Sequence, residues 1–309
     1  MRFAPLFALF LLPALLTAQV DTTFTIDTLG IAPDTLPPHQ PWRSGGAIAI
    51  NFNQVALSNW NGGGENTFAV GGMLGLHADY DSAKVHWSNE LEAGYGFTKA
   101  GDLSFRKSDD MLTVVSKVDY DATNTLLYSA LLDFRSQFSS GFDYDDLNPI
   151  GEPNKISDFL SPGYLNVGLG ATWQPSESFE IFVAPISNRL IILLDEDLSN
   201  IGAFGVGPGE HYESELGSTS RVRFQRYLME NIEFGSRLNL FAPFEDYSSI
   251  VINWENLLSM TVNEYISVSI SFDLIYDENV DIRRDDGSVG PGTQMKEALA
   301  VGIGYTIGG

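Results

Sequence analysis

The chain of 309 residues carries 40 acidic against 17 basic side chains, a formal net charge of −23, and no cysteine. That charge balance excludes a surface that works by neutralising phosphates, and so excludes nucleic acid as a partner; the missing cysteine excludes a disulfide framework, a thiolate metal site and a lipobox anchor. Hydrophobic residues at 44%, aromatics at 12% and 30 glycines describe a chain too apolar to stay disordered.

In chain order, Arg2 supplies a positive n-region, Phe3 to Leu16 an apolar run, and Thr17-Ala18-Gln19 a small residue for cleavage after Ala18. This is the pattern of a secretory signal peptide at 1–18. The apolar run is shorter than the roughly 20 residues of a spanning helix. Residues 19–43, rich in Thr, Pro and Asp, read as an extended periplasmic leader. Residues 44–309 read as one domain.

Within that domain apolar and polar residues alternate. Phe68, Val70, Leu74 and Leu76 oppose Ala69, Gly71, Met73 and Gly75. Trp87, Leu91, Ala93, Tyr95 and Phe97 oppose His86, Ser88, Glu90, Glu92, Gly94 and Gly96, with Asn89 the exception on the apolar side. A period of two marks strands with one apolar and one polar face. Twelve such segments are predicted, at 45–58, 65–79, 84–98, 108–119, 124–139, 161–173, 178–187, 218–228, 232–241, 248–260, 265–277 and 295–307. Most reach the roughly 9–11 residues that a spanning strand needs. The segment at 178–187 has the weakest alternation.

The connections alternate between short turns, such as Tyr80 to Ala83 and Met229 to Asn231, and long acidic loops at 140–160, 188–217 and 278–294. Short periplasmic turns with long extracellular loops are the pattern of outer-membrane barrels, whereas a soluble sandwich has no reason to alternate its loop lengths. The predicted fold is therefore all-β: a transmembrane, antiparallel, up-and-down β-barrel of 12 strands. Its termini are periplasmic and segment 295–307 closes onto 45–58, because a spanning sheet leaves no open edge. Trp42, Trp60, Tyr80, Tyr95, Tyr128, Tyr144, Trp173, Tyr227, Tyr247, Tyr265 and Tyr276 fall near strand ends, where aromatic girdles form.

The alternation directs a charged set into the lumen: His86, Glu90, Glu92, Asp133, Arg135, Arg221, Arg223, Glu233, Arg237, Glu255, Asp273 and Lys296. Asp133 and Arg135, two apart, and Glu233 and Arg237, four apart, read as wall ion pairs. Such a wall either lines a water path or pairs with itself and closes the lumen, and a 12-strand barrel is wide enough for both. Gly202-Ala203-Phe204-Gly205-Val206, apolar inside an otherwise acidic loop, reads as a plug that folds back on the mouth.

Catalytic constellations fare poorly. The four histidines are His39, His77, His86 and His211, and no motif sets a serine beside any of them. Glu90 and Glu92 point the same way as a glycosidase pair would, but read as ion-pair members beside Arg135. Asp281 to Asp286 lacks a complete EF-hand pattern, and Gly62-Gly63-Gly64 lacks the ending of a phosphate loop. No catalytic residue, metal site or cofactor is assigned. The expected partners are outer-membrane lipid and the barrel assembly machinery, with the oligomeric state left open. Two functions fit: a narrow channel for small solutes, or a closed structural or partner-binding barrel that acts through its long acidic loops.

An ordered set of short motifs carries a resemblance. Asn59-Trp60-Asn61-Gly62-Gly63 is followed by Trp87-Ser88-Asn89, Lys107-Ser108-Asp109-Asp110, Ser136-Gln137-Phe138 and Phe159-Leu160-Ser161-Pro162. Then come Gly202 to Val206, Ser236-Arg237-Leu238-Asn239-Leu240-Phe241, Ile275-Tyr276-Asp277 and Gln294-Met295-Lys296-Glu297. From about residue 42 to the end the chain resembles the Bacteroidota outer-membrane family known as domain of unknown function 3078. The resemblance implies an outer-membrane barrel and brings no catalytic residues. Such barrels usually end in an aromatic residue that the assembly machinery reads; here the last aromatic is Tyr305, ahead of Thr306-Ile307-Gly308-Gly309.

Overall fold

A computed structural model of the chain describes residues 41–57, 65–147, 150–263, 265–284 and 288–307. The signal at 1–18, the leader up to residue 40, Trp60 and the Gly62-Gly63-Gly64 stretch lie outside the described residues. In chain order the strands are β1 (Trp42–Val55), β2 (Thr67–Asp81), β3 (Val85–Ala100), β4 (Arg106–Asp121), β5 (Leu126–Ser136), β6 (Gly141–Leu147), β7 (Pro153–Ser157) and β8 (Gly163–Ser176). They continue with β9 (Phe179–Ile192), β10 (Tyr212–Met229), β11 (Ile232–Pro243), β12 (Val251–Thr261), β13 (Ile266–Tyr276), β14 (Asp281–Arg283), β15 (Val289–Pro291) and β16 (Gln294–Ile307).

Twelve of these form one closed ring, in the order β1-β16-β13-β12-β11-β10-β9-β8-β5-β4-β3-β2. Every neighbour is antiparallel. The ring closes where β16 meets β1, with Gly46 opposite Ile307 and Asn51 opposite Gly302. All twelve predicted segments are strands of this barrel, and the predicted closure is the one found. The pairs β6/β7 and β14/β15 are separate two-stranded hairpins within the long connections.

Alternation places the apolar side chains outside. Ile50, Leu169 and Ile303 are 57%, 67% and 66% exposed, while Ala49, Gly168 and Gly302 beside them are buried. A continuous band of exposed aliphatic residues would be unstable against water and is at home against lipid. At the short-turn end the rings of Trp42, Tyr80 and Trp87 cluster, with centroids 5.3 and 5.5 Å from that of Trp42. Tyr144 is a different case: it lies in the β6/β7 hairpin beneath the Arg106 guanidinium, 4.2 Å from the ring centroid.

Two boundaries differ from expectation. β1 starts at Trp42, two residues inside the predicted 19–43 leader, because Trp42 and Arg43 already pair with Tyr80 and Asp79. The predicted 188–217 loop is shorter: β9 runs to Ile192 and β10 begins at Tyr212, so the connection is 193–211. The cause is a bulge at Pro185-Ile186. The register shifts there on both sides, between Leu169 and Ala171 of β8 and between Gly217 and Thr219 of β10. Proline has no N–H to give a ladder, so it sits where pairing is already broken. Before the bulge Phe182 and Ala184 are buried; after it Ser187, Arg189 and Ile191 are. The inward face has changed phase, which hides the rest of the strand from a period-two reading.

Gly170 makes this bulge possible. A Cβ there would lie 1.9 Å from the Val183 carbonyl oxygen and 2.7 Å from the Ala184 Cα, so only glycine admits the close approach.

Candidate functional site

The interior is layered along the strands. Toward the short-turn end, Lys117 of β4 holds Glu180 of β9 at 2.6 Å and Asp119 at 3.2 Å. Above it Val115, Leu131, Phe182 and Ala184, from β4, β5 and β9, form a buried apolar cluster inside the barrel. Side chains therefore fill that part of the lumen.

Next comes a belt of ion pairs that cross the lumen. Asp133 of β5 binds both Arg135, at 3.0 Å, and Arg221 of β10. Arg135 also donates to Glu255 of β12 at 2.9 Å. Arg237 of β11 lies 3.9 Å from both Glu90 and Glu92 of β3, and 3.6 Å from Glu255. Arg223 of β10 is 3.6 Å from Glu90. The strand order makes these contacts informative. β3 and β11 are separated by six steps of the 12-strand ring in either direction, so Arg237 and Glu92 stand on opposite walls. A neighbouring-strand ion pair such as Arg237–Glu255 leaves the lumen open; the contacts of Arg237 with Glu90 and Glu92, and of Arg135 with Glu255, reach across it.

A cavity of about 530 Å³ takes in the belt and extends to its long-loop side. Arg135, Arg221, Arg223 and Arg237 line it, together with Glu92, Asp133, Glu255 and Asp273. Its wall is completed by Arg189 of β9, which is held by Asp277 and, at 2.9 Å, by Glu215. The Arg189 guanidinium lies over the rings of Tyr164 and Phe241, 4.8 and 6.0 Å from their centroids. This cation is locked by two carboxylates and two aromatic rings.

The 193–211 connection folds over this cavity. Asp195 caps the short helix α1 (Glu196–Asn200), accepting from the Leu198 N–H at 3.0 Å. A single 3₁₀ turn follows at Ala203–Gly205. Val206 packs with Ile191, Leu193 and Leu198 in a buried cluster that Tyr164, Ala203 and Phe204 flank. Phe204 has a left-handed backbone, φ 59°, between Gly202 at 70° and Gly205 at 79°, and its side chain lines the cavity. Lys155 of β7 binds Asp195 and lies 3.3 Å from Asp197, so the β6/β7 hairpin is strapped to the same loop.

The remaining members of the sequence-derived set lie elsewhere. His86 sits at the short-turn end between Asp81 at 2.7 Å and Asp121 at 3.3 Å. Glu233 accepts a hydrogen bond from Gln225 at 2.8 Å. Lys296 lies 3.6 Å from Asp109, four strands around the ring. Sequence reasoning missed Lys117, Asp119 and Glu180, since Met111, Leu112, Val114 and Val115 put apolar residues on both faces and mask the alternation. It missed Arg189 and Glu215 because the bulge at Pro185 displaced the phase; a proline inside a strand pattern was the available signal.

Several solved barrels are similar to the chain at low identity. The translocator domain of the autotransporter NalP from Neisseria meningitidis is 10% identical, with 87% of this chain and 90% of that one covered and a TM-score of 0.36. An outer membrane channel from Pseudomonas putida F1 is 11% identical over 88% and 99%, with a TM-score of 0.39. The Pseudomonas putida toluene transporter TodX is 8% identical over 91% of each chain, with a TM-score of 0.31. No curated protein matches the chain in sequence. The model of the family described as "Protein of unknown function (DUF3078)" matches residues 52–142, in agreement with the resemblance that the short motifs carry.

Proposed function

We propose that the chain is an outer-membrane barrel, delivered by its signal at 1–18, that works as a narrow and normally closed channel for small solutes. The observation that supports this reading is the set of ion pairs between opposite walls, above all Arg237 with Glu90 and Glu92. A barrel that served only as a scaffold could fill its lumen with apolar side chains. Replacing buried ion pairs by apolar residues is often neutral or stabilising, so retaining them against that alternative fits an element that opens. In this reading the long loops face the medium, solute collects in the cavity beneath them, and passage requires the belt to part. No chemistry is performed on the solute.

The test is conductance of the purified protein in a planar bilayer, alone and as Arg237→Ala with Arg221→Ala. Rare, small openings in the native protein and frequent, larger ones in the double variant would support the channel. Silence in both would favour the other reading, a closed barrel that acts through the strapped loops around Lys155 and Asp195.

A further inference from the structure

The cavity lined by the belt has the chemistry of a site for one class of solute. Its charged lining consists of five arginines and five carboxylates. They are engaged with one another: Asp133 with Arg135 and Arg221, and Arg189 with Asp277. An ionic solute would have to part such a pair and strand one partner in a poorly hydrated lumen. A neutral solute that both donates and accepts can bond to either sign as it stands, and hydrogen bonds to charged groups are the stronger kind.

Three amide side chains, Asn166, Asn239 and Asn253, stand in the same lining. Next to them stand flat apolar faces. Phe204 is held in a left-handed conformation that a bulky residue seldom adopts, and its ring lines the cavity with Tyr164 and Phe241. A ring whose rim is polar and whose C–H faces are apolar matches aromatic faces beside amides and balanced charges. The volume, about 530 Å³, falls in the range of small-molecule sites, ~300–1,000 Å³.

We infer that this cavity binds a neutral, polyhydroxylated solute of one or two sugar rings. The inference rests on the channel reading only for the route by which the solute arrives, and its test needs no current. The protein, reconstituted in lipid nanodiscs free of sugar detergent, is dialysed to equilibrium against radiolabelled maltose, cellobiose or lactose, with galacturonate and toluene as the ionic and apolar comparators. Saturable binding of at least one neutral disaccharide is expected, tighter than either comparator. Phe204→Ser and Asn253→Leu should each weaken it about tenfold. Phe204 lies in a loop, and heat-modifiable gel mobility reports whether each variant keeps its barrel. Absence of saturable sugar binding, tighter binding of galacturonate or toluene, or undiminished binding in folded Phe204→Ser would overturn the inference. Sugar binding without conductance would sink the channel reading alone; conductance without sugar binding would sink this one alone.

Discussion

Arg237 and Glu92 meet across the lumen at 3.9 Å, from strands that stand opposite each other in the ring. Their side chains are only 11% and 6% exposed, so the pair is held largely out of water. Removing one member unbalances the buried charge around the other, whereas removing both restores the balance. Arg237→Met should therefore destabilise the barrel by about 3 kcal/mol, and Arg237→Met combined with Glu92→Gln by clearly less. Urea unfolding of the four proteins of this double-mutant cycle gives the coupling. A coupling of zero would mean that the contact across the lumen contributes nothing and that something else closes the belt.

Gly170 offers a sharper steric test. A Cβ there would meet the Val183 backbone at 1.9 Å, and backbone at a bulge between two paired strands has nowhere to go. Gly170→Val should cost more than the usual 1–3 kcal/mol of overpacking and should show as a large fall in the urea midpoint or as loss of the heat-modifiable folded band. Gly72 and Gly235 provide controls, since nothing lies within 4 Å of a Cβ at either. Alanine at those two positions should leave the midpoint unchanged or slightly raised. A tolerant Gly170→Val would show that β8 and β9 do not approach at this bulge as described.

How much was legible follows from the same bulge. Lipid imposes a strict rule: spanning strands alternate, and the sheet closes. Every barrel strand that obeys the rule in phase, from Phe68 to Ala78 or Ile266 to Tyr276, could be read from its residues. Where Pro185 breaks the phase, the rule stops helping, and Arg189 fell into a supposed loop. The belt shows a second limit. Inward direction is a local property, so Glu92, Asp133 and Arg237 could each be assigned to the lumen. Which acid meets which base depends on the ring order and shear of the closed barrel, which no single strand encodes. Hence Asp133–Arg135, on one strand, was legible, and Arg237–Glu92, six strands apart, was not.

The loop strap should respond to acid. Burial pushes the Asp195 carboxyl up, but the hydrogen bonds from Lys155 and from the Leu198 amide outweigh it and hold the group below its ordinary 3.8. The Asp195 hydrogen bond in turn raises Lys155 above its ordinary 10.5. A carboxylate with a depressed pKa adds stability above its ordinary value and loses it as the pH falls through the depressed one. The raised lysine loses its share only above 10.5. The strap should therefore hold from about pH 4 to pH 10 and loosen in stronger acid. Amide hydrogen exchange of residues 153–157 and 195–200 at pH 3 and pH 6 reads this directly. Faster opening at pH 3, matched at pH 6 by Asp195→Asn, is expected; equal protection at both pH values would show that the Lys155 pair does not hold the loops together. On the proposed topology, trypsin added to intact cells should also cut Asp195→Asn at Lys155 faster than the native chain.

Ion selectivity follows from where unbalanced charge remains. In the belt, Arg135, Arg221 and Arg237 face Asp133, Glu92 and Glu255 at contact distance, so it presents no free ring of guanidinium groups to draw anions. The excess of acid lies at the mouth and over the chain as a whole, which carries −23; Asp197, for one, is 86% exposed. Exposed charge acts over about 8 Å at physiological salt, far enough to enrich cations at the opening. Once the belt is loosened by Arg221→Ala, the reversal potential in a potassium chloride gradient should show preference for potassium. That preference should shrink when Glu196 and Asp197 are neutralised to Gln and Asn, and should grow at low ionic strength. A preference for chloride that disappears in Arg237→Ala would mean that the arginines act as an unpaired ring during conduction, and that the pairing seen across the lumen is not the state that ions encounter.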